Sequence, residues 1–480
     1  MSQLSPAQRE ALGALLRAAP FTEVVRDLGR RFAERGHELY LVGGTVRDAL
    51  LDRASTDVDL TTDATPDQIL TVVRAGSWAD RVWLQGVRFG TVGVRKGDFA
   101  LEITTFRSDT YHEDSRKPEV TFGRSISEDL ARRDFTVNAM AMRLPDGPFV
   151  DPHGGLADLA ARRLRTPSRP EVSFEDDPLR MLRAARFAAQ LGLVPTAETV
   201  AAITERRDRL AIVSRERVRD ELTKLLCGRA PAKGLWLAVN TGLAATFLPE
   251  LPALALEQDP VHRHKDVLRH TIAVVERATA FDDEPDLTLR MAALLHDIGK
   301  PRTRRVGPDG VSFHLHEVVG AKMAEKRLAE LRYPSDFIAD VRQLVLLHLR
   351  FHTYRLGWSD SAVRRYVRDA GPLLDRLNFL VRSDCTTRNV FKARQLAAYS
   401  DELEERIARL EAAEELANIR PPLDGRQVMS RLGIPPGPLV GKALSHLLEL
   451  RLDRGPMSEE EAVEALHTWA GDEGLELPGD

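Results

Sequence analysis

The spacing of apolar residues changes character once along this 480-residue chain, and that change limits the folds open to it. Between about residues 37 and 150 the pattern is one of short β-branched or apolar runs: Leu39–Val42, Val58–Thr61, Thr91–Arg95 and Ala100–Phe106. Helical spacing separates some of them, at Val46–Leu51 and Asp67–Ala75, and Gly97-Asp98 marks a hairpin turn. From about residue 155 onward the chain reads as almost wholly helical. Residues 6–36 read as one or two amphipathic helices, carried by Leu12, Leu15, Leu16, Val24, Val25, Leu28 and Phe32. The fold class expected is therefore α+β, a mixed head followed by helices. Length alone argues for about three domains. Pro249 with Pro252, and Pro421-Pro422 with Pro435-Pro436, punctuate the helical part. Ser458–Glu461 reads as a capped helix start.

Composition narrows the class. Apolar residues make up 43% of the chain and charged residues 29%, the balance of a globular protein with sizeable cores. The net charge of −4 argues against a surface coated in positive charge, but not against a local basic stripe for nucleic acid. Most of the 68 cationic residues are Arg, whose fork suits phosphate. Two cysteines, Cys227 and Cys385, are too few for a disulfide framework or a zinc site. No run approaches the roughly 18 apolar residues that span a bilayer, and no signal-peptide core follows Met1. A cytoplasmic protein is expected, with no membrane association.

Residues 41–61 carry the first chemistry. Leu41-Val42-Gly43-Gly44-Thr45-Val46-Arg47-Asp48 reads as a strand ending at two glycines where a helix begins. Backbone N–H groups there can approach phosphate at a positive helix end. Arg47, one turn in, can reach a triphosphate. Asp57 and Asp59 alternate along a strand and so share a face. Side by side they repel, which invites a divalent cation, most simply Mg2+. Separately, Gly-Gly is an ordinary turn and Asp-x-Asp a solvated loop. Together they resemble the signature of the polymerase-β-like nucleotidyltransferases, most closely the class II branch of bacterial CCA-adding enzymes and bacterial poly(A) polymerases. Glu102, on a later strand, is either a third acid near the metals or a strand residue paired with Arg107.

The resemblance extends to Arg132-Arg133-Asp134, where it implies that Arg133 meets the nucleotide phosphate and Asp134 the ribose hydroxyls. In Glu175-Asp176-Asp177-Pro178-Leu179-Arg180, Pro178 suits a first helical turn and Asp176 its N-cap. Arg180, Arg183 and Arg186 then recur every third residue, a stripe useful if it faces phosphate. The matching family motif implies that Asp177 and Arg180 read the Watson–Crick edge of the incoming base. Cytosine and adenine both offer an amine beside a ring-nitrogen acceptor, whereas uracil and guanine place a carbonyl there. The family commonly has Glu-Asp where this chain has Asp176-Asp177, with Glu175 one residue earlier. Glu216 and Arg217, in the family's next helix start, are expected to brace these template residues. Residues 108–124, with Asp109, Tyr111, His112, Asp114, Arg116, Lys117 and Pro118, read as a surface loop, and match in position the loop that lets CCA-adding enzymes switch nucleotide. Lys117 falls where the family more often has His.

A third cluster holds His270, then His296-Asp297 at the end of an apolar helix, then His316, His348 and Asp384. A buried His-Asp pair is costly without a partner, and imidazole with carboxylate suits transition metals or Mg2+. The series resembles the HD phosphohydrolase domain. That likeness implies core ligands at His270, His296, Asp297 and Asp384, with His316 and His348 as the extra histidines of binuclear members.

The expectation is a polymerase-β-like nucleotidyltransferase head followed by an all-helical neck, body and HD-containing tail. Boundaries are expected at 1–36 for N-terminal helices, 37–165 for the head and 166–250 for the neck and body. The HD domain is expected over 251–395 and a C-terminal helical region over 396–480. The function this resemblance implies is addition of C, C and A to the 3′ end of tRNA from CTP and ATP, with a second HD phosphohydrolase activity. A poly(A) polymerase, or an HD phosphohydrolase with a non-catalytic RNA-binding head, are the alternatives. The expected partners are tRNA, ATP and CTP, with no protein partner.

Overall fold

The computed structural model describes residues 19–53, 56–110, 119–123, 125–256, 266–281, 284–308, 310–385, 390–414 and 419–475. Tyr111, His112, Asp114, Arg116, Lys117 and Pro118, and the expected helix around Leu12, lie outside them. The chain divides into two compact units, 1–252 and 253–480. Helices are numbered below without the short 3-10 turns.

The first unit opens on α1 (Thr22–Ala33), whose Val25, Leu28 and Phe32 are buried as their spacing requires. Then come β1 (Leu39–Val42), α2 (Gly43–Leu50), β2 (Asp57–Thr62), α3 (Pro66–Arg74), β3 (Arg81–Trp83), β4 (Thr91–Lys96) and β5 (Phe99–Thr105). A ribbon of β6 (Arg107–Thr110) and β7 (Glu119–Phe122) follows, so the flanks of the expected loop pair antiparallel. After α4 (Ile126–Ala131), β8 (Ala141–Leu144) and β9 (Phe149–Val150) complete a seven-stranded sheet. Its order is β3-β4-β5-β2-β1-β8-β9, and only the β2–β5 pair in it is parallel. Gly97-Asp98 is the two-residue connection between β4 and β5. β3 and β9 are too short to announce themselves by alternation, and β8, Ala141-Met142-Arg143-Leu144, has no β-branched residue to mark it.

The parallel β2–β5 pair fixes the register that matters, because it sets Asp59 opposite Glu102. Val58 and Leu60 face the core at 1% exposure, so period-two alternation leaves Asp57 and Asp59 on the open face.

The chain then turns helical, through α5 (Gly155–Ala160), α6 (Pro170–Asp176), α7 (Leu179–Leu191), α8 (Ala197–Arg206), α9 (Arg215–Leu226) and α10 (Pro231–Asn240). A two-residue parallel pair, β10 (Arg163–Leu164) with β11 (Val194–Pro195), interrupts them, and helical periodicity does not mark it. α7 packs on both α9 and α10, with Ala185 and Ala189 beside Gly234 of α10 and Met181 and Leu182 also fully buried.

The second unit holds α11 (Val267–Ala278), α12 (Leu287–Leu295), α13 (Lys300–Thr303), a small hairpin of β12 (Arg305–Gly307) and β13 (Gly310–Ser312), α14 (His316–Glu330) and α15 (Ser335–Leu347). α16 (Asp360–Ala370), α17 (Leu374–Asp384) and α18 (Val390–Glu414) follow. The chain ends in α19 (Gly425–Leu432), α20 (Pro438–Arg454) and α21 (Glu459–Asp472). The last three helices bury their own cluster around Val428, Leu447, Leu466 and Trp469. Ser458 begins α21 with a capping box to Glu461, as the sequence indicates. Among the described residues no helix is long and apolar enough to cross a membrane.

Candidate active site and metal centre

In the first unit the site is built where β1 runs into α2. The helix begins at Gly43 itself, whose φ of 68° is a left-handed value that glycine adopts without strain. A Cβ on Gly43 would stand 2.7 Å from the Arg133 Nη1 and 3.6 Å from the Asp59 Oδ2, so the glycine turn, the arginine and the acid are in contact. Thr45 of the same helix accepts the Asp59 backbone N–H at 2.8 Å.

Three carboxylates share the open sheet face: Asp57 and Asp59 by alternation along β2, and Glu102 by its place opposite Asp59. Asp59 stands in a crevice whose walls desolvate it although solvent still reaches it. Desolvation pushes its carboxyl pKa up and Asp57 adds to this, while Arg133 opposes both. The Glu102 pKa is raised too, by burial first and then by Asp59 and Asp57. Glu102 thus joins the acidic cluster, the first of the two readings open to it. Like charges gathered in a desolvated crevice fit a divalent cation with oxygen ligands.

The nucleotide-binding candidates lie around this cluster, linked by buried hydrogen bonds. Arg47 donates to Asn138 Oδ1 at 2.6 Å and to Asp48. Arg133 pairs with the fully buried Asp129 at 3.2 Å. Arg183 forks onto Asp134 Oδ2, at 2.8 and 2.5 Å, and Asn138 donates to the other Asp134 oxygen at 2.9 Å. Burial alone would raise the Asp134 pKa, but Arg183 and Asn138 outweigh it and hold the carboxyl far below its usual range.

The arginine stripe of α7 does not form one phosphate-facing row. Arg180 donates to Ser173 Oγ at 2.8 Å and to the Arg132 carbonyl at 2.6 Å. Arg183 goes to Asp134, and Arg186, 8% exposed, to Glu221 at 3.1 Å. Buried guanidinium groups require partners, and each finds its own. The helix start also differs from expectation. α6 runs through Asp176, so Asp177 is the residue that caps α7, accepting the Leu179 N–H at 3.1 Å. Glu175 pairs with Arg206 and Arg209 instead of Arg180. Arg217 reaches Asp177 Oδ2 at 2.9 Å, as a bracing residue would. Ser173 and Glu221 carry no motif signal, because each gains its partner only through helix packing.

In the second unit, helix ends and a loop turn bring the other candidates together. His270 lies in α11, His296-Asp297 follow α12, His316 opens α14, His348 follows α15 and Asp384 ends α17. His270 Nε2 lies 2.8 Å from Asp384 Oδ1, and the Nε2 atoms of His296 and His316 each lie 3.3 Å from Asp297. His348 Nε2 is 4.0 Å from Asp297 Oδ1. Two overlapping groups could each hold an ion: His270, His296 and Asp297; and Asp297, His316 and His348.

The imidazoles are oriented for this. Nδ1 of His296, His316 and His348 meets the carbonyl three residues back, at 2.8, 2.8 and 2.7 Å. A carbonyl only accepts, so Nδ1 carries the proton and Nε2 presents a lone pair. All three Nε2 atoms are buried without a hydrogen-bond partner. Burial and His296 push His348 down to about 3, which keeps it a neutral ligand. The centre opens to a cavity of about 830 Å³, walled by Arg269, Lys300, His352, Lys392, Leu396 and Tyr399 among others.

A phosphate-receptive glycine turn beside a carboxylate trio, followed by a separate His-Asp centre, defines a nucleotidyltransferase carrying an HD domain. Comparison with known families agrees: residues 39–165 match the poly A polymerase head domain, 192–254 the probable RNA and SrmB-binding site of polymerase A, and 267–389 the HD domain. The A-adding tRNA nucleotidyltransferase of Deinococcus radiodurans is 35% identical over 90% of this chain and 95% of its own. The CC-adding tRNA nucleotidyltransferase of Thermus thermophilus is 34% identical over 90% and 94%. The CCA-adding enzyme of Levilactobacillus brevis is 43% identical, over 46% of this chain and only 54% of its own length. A CCA-adding enzyme of Bacillus stearothermophilus, solved in complex with CTP, superposes with a TM-score of 0.69 at 26% identity, over 95% of this chain and 99% of its own. The chain belongs to the tRNA nucleotidyltransferase family.

Proposed function

We propose that this protein adds C, C and A to the 3′ end of tRNA, using CTP and ATP. The observation that carries the reading is the contact of the Gly43 turn and Arg133 with Asp59, beside Asp57 and Glu102. Asp57 and Asp59, with Glu102 beside them, would hold Mg2+, whose charge lowers the pKa of a 3′ hydroxyl and neutralises departing pyrophosphate. Gly43, Gly44 and Arg47 bind the triphosphate through backbone N–H groups and a guanidinium, and Arg133, lying against Gly43, adds a second cation. Asp134 takes the ribose hydroxyls. Asp177 accepts from the exocyclic amine of the base while Arg180 donates to its ring nitrogen, so uracil and guanine leave a buried donor or acceptor unmatched. The head is assigned to residues 37–165 and this base-reading part to 166–250. Arg183 sits one step back, holding Asp134, and Arg186 stands behind it.

Incubating the protein with Mg2+, CTP, ATP and a tRNA transcript lacking its terminal CCA, then sequencing the products, tests this. Addition of C, C and A in that order is expected. Since the relatives that align end to end include one A-adding and one CC-adding enzyme, the transcript ending in CC is the necessary second substrate. A single A on it, with no C on the shorter transcript, would reassign the chain to A addition, and C, C alone to CC addition. A long A run would make it a poly(A) polymerase.

The orphaned Nε2 atoms of His296, His316 and His348 favour a second, independent activity: metal-dependent hydrolysis of a phosphate ester in the second unit. His270, His296, Asp297 and Asp384, with His316 and His348, would hold Mg2+ or a transition metal there. Lys300 and Arg269 on the cavity wall would attract the phosphate. Release of the alcohol from a model phosphodiester, or of phosphate from a monoester, that depends on added Mn2+ or Ni2+ and is lost in His296→Ala would establish it; no release with any divalent metal would exclude it.

A further inference from the structure

One buried carboxylate of the first unit belongs to no motif and yet faces the nucleotide site's own scaffold. Glu221 on α9 is 4% exposed and accepts from Arg186 Nη1 at 3.1 Å, while Arg183 Nη1 lies 3.6 Å from the same oxygen. Its second oxygen, Oε2, has no hydrogen bond. Arg183 is the residue whose fork closes on Asp134. From Asp134 the chain of contacts continues through Asn138 to Arg47 of α2. Arg183, Arg186 and Arg47 also crowd one ring, with guanidinium carbons 5.6, 4.4 and 5.2 Å from the centroid of the buried Phe187. Arg47 has Asp48 as its counter-ion, so Arg183 and Arg186 share the two carboxylates Asp134 and Glu221. The electrostatics agree: burial, with Arg183 beside it, pushes the Arg186 guanidinium down to about 10, and Glu221 is the first group to oppose them.

We propose that Glu221 is a positioning residue for sugar recognition, fixing Arg183 and thereby holding Asp134, which also accepts from the Phe135 and Asn138 N–H groups, in the pose that meets the ribose hydroxyls of the incoming nucleotide. This rests on the nucleotidyl-transfer reading and on the ribose role of Asp134. With Glu221 in place, Arg186 has its own counter-ion, and Arg183 needs only one Asp134 oxygen. Remove that charge and Asp134 becomes the sole anion for two guanidinium groups. The carboxylate is then drawn toward Arg186 and out of the pose that meets the hydroxyls. Asp177 and Arg180 read the base through contacts that do not include Glu221, so base choice is untouched.

The experiment compares single-nucleotide addition from CTP, dCTP and UTP by wild type, Glu221→Gln and the charge-balanced double variant Glu221→Gln/Arg186→Met. Glu221→Gln is expected to lower the CTP-over-dCTP preference in kcat/KM by roughly tenfold, the scale of one charge-assisted hydrogen bond. Its CTP-over-UTP preference stays at the wild-type value. The double variant, with Arg183 and Asp134 again one to one, is expected to regain the ribose preference. Equal losses with CTP and dCTP, or a folded double variant that stays indifferent to the sugar, would overturn the proposal. If Glu221→Gln fails to fold, the double variant alone decides: wild-type sugar preference supports the charge balance, and its loss refutes it. Failure of the underlying function is separately visible, since wild type would then extend neither tRNA lacking CCA from CTP nor tRNA ending in CC from ATP; an A-adding wild type is compared with ATP and dATP in the same way.

Discussion

Replacing Asp57 by Ala removes an acid from the trio that would hold the metal, while replacing His296 by Ala touches only the second unit. The first change is expected to cut nucleotide addition on the order of a thousandfold or more, because several kcal/mol of charge stabilisation go with the metal. The second is expected to leave addition within about twofold while abolishing metal binding at the HD centre; rates of labelled CTP incorporation and Mn2+ titrations on both variants test the pair. The acidic trio also sets a pH response. Asp59 and Glu102 have raised carboxyl pKa values, so they hold protons to a higher pH than ordinary carboxylates do. Protons and Mg2+ then compete, and the Mg2+ concentration for half-maximal addition should climb as pH falls toward those raised values. Saturating Mg2+ should recover the rate; a half-saturating concentration that does not change with pH would contradict it.

At the scale of elements, close backbone approaches are the points least visible in a local pattern. A Cβ on Gly299, ahead of α13, would stand 2.1 Å from the His316 carbonyl oxygen and 2.7 Å from the Gly320 nitrogen, both backbone atoms that cannot step aside. Gly299→Ala is therefore expected to push α13 off α14 and displace His316, lowering metal affinity at least tenfold in a calorimetric titration while nucleotide addition continues. The strands β1, β2, β4 and β5 and the glycine helix start are legible in the sequence because each is a local pattern of side-chain period or spacing, whereas the HD histidines, spread from His270 to His348, are legible only through the resemblance to the HD domain. The capping of α7 is not. Asp176 looks like its N-cap, but α6 extends through that residue, and the cap passes to Asp177. Nor is the sorting of Arg180, Arg183 and Arg186 among Ser173, Asp134 and Glu221. Those partners lie 7, 49 and 35 residues away, and helix packing alone brings them together. Glu102 lies between these cases, since its alternation is visible but its place opposite Asp59 depends on a parallel register that local patterns do not encode.

For the whole molecule, two compact units with separate polar centres imply two separable responses to ligands. CTP with Mg2+ should raise the melting temperature of the first unit, and a transition metal alone that of the second. A ligand at a hundred times its Kd contributes about 2.7 kcal/mol, which differential scanning calorimetry resolves as a shifted transition. A single transition moved equally by either ligand would show the units melting as one. The proposed addition of two different bases by one set of side chains would also make a mechanical demand on the first unit. α7 is tied to the Arg132–Asp134 turn at two points one helical turn apart, by Arg180 to the Arg132 carbonyl and by Arg183 to Asp134. One tether would be a pivot; two make a clamp. The base reader is then a fixed gauge that measures pyrimidine and purine alike from the same edge, and the slack for the larger ring has to come from the RNA end or from chain outside that clamp.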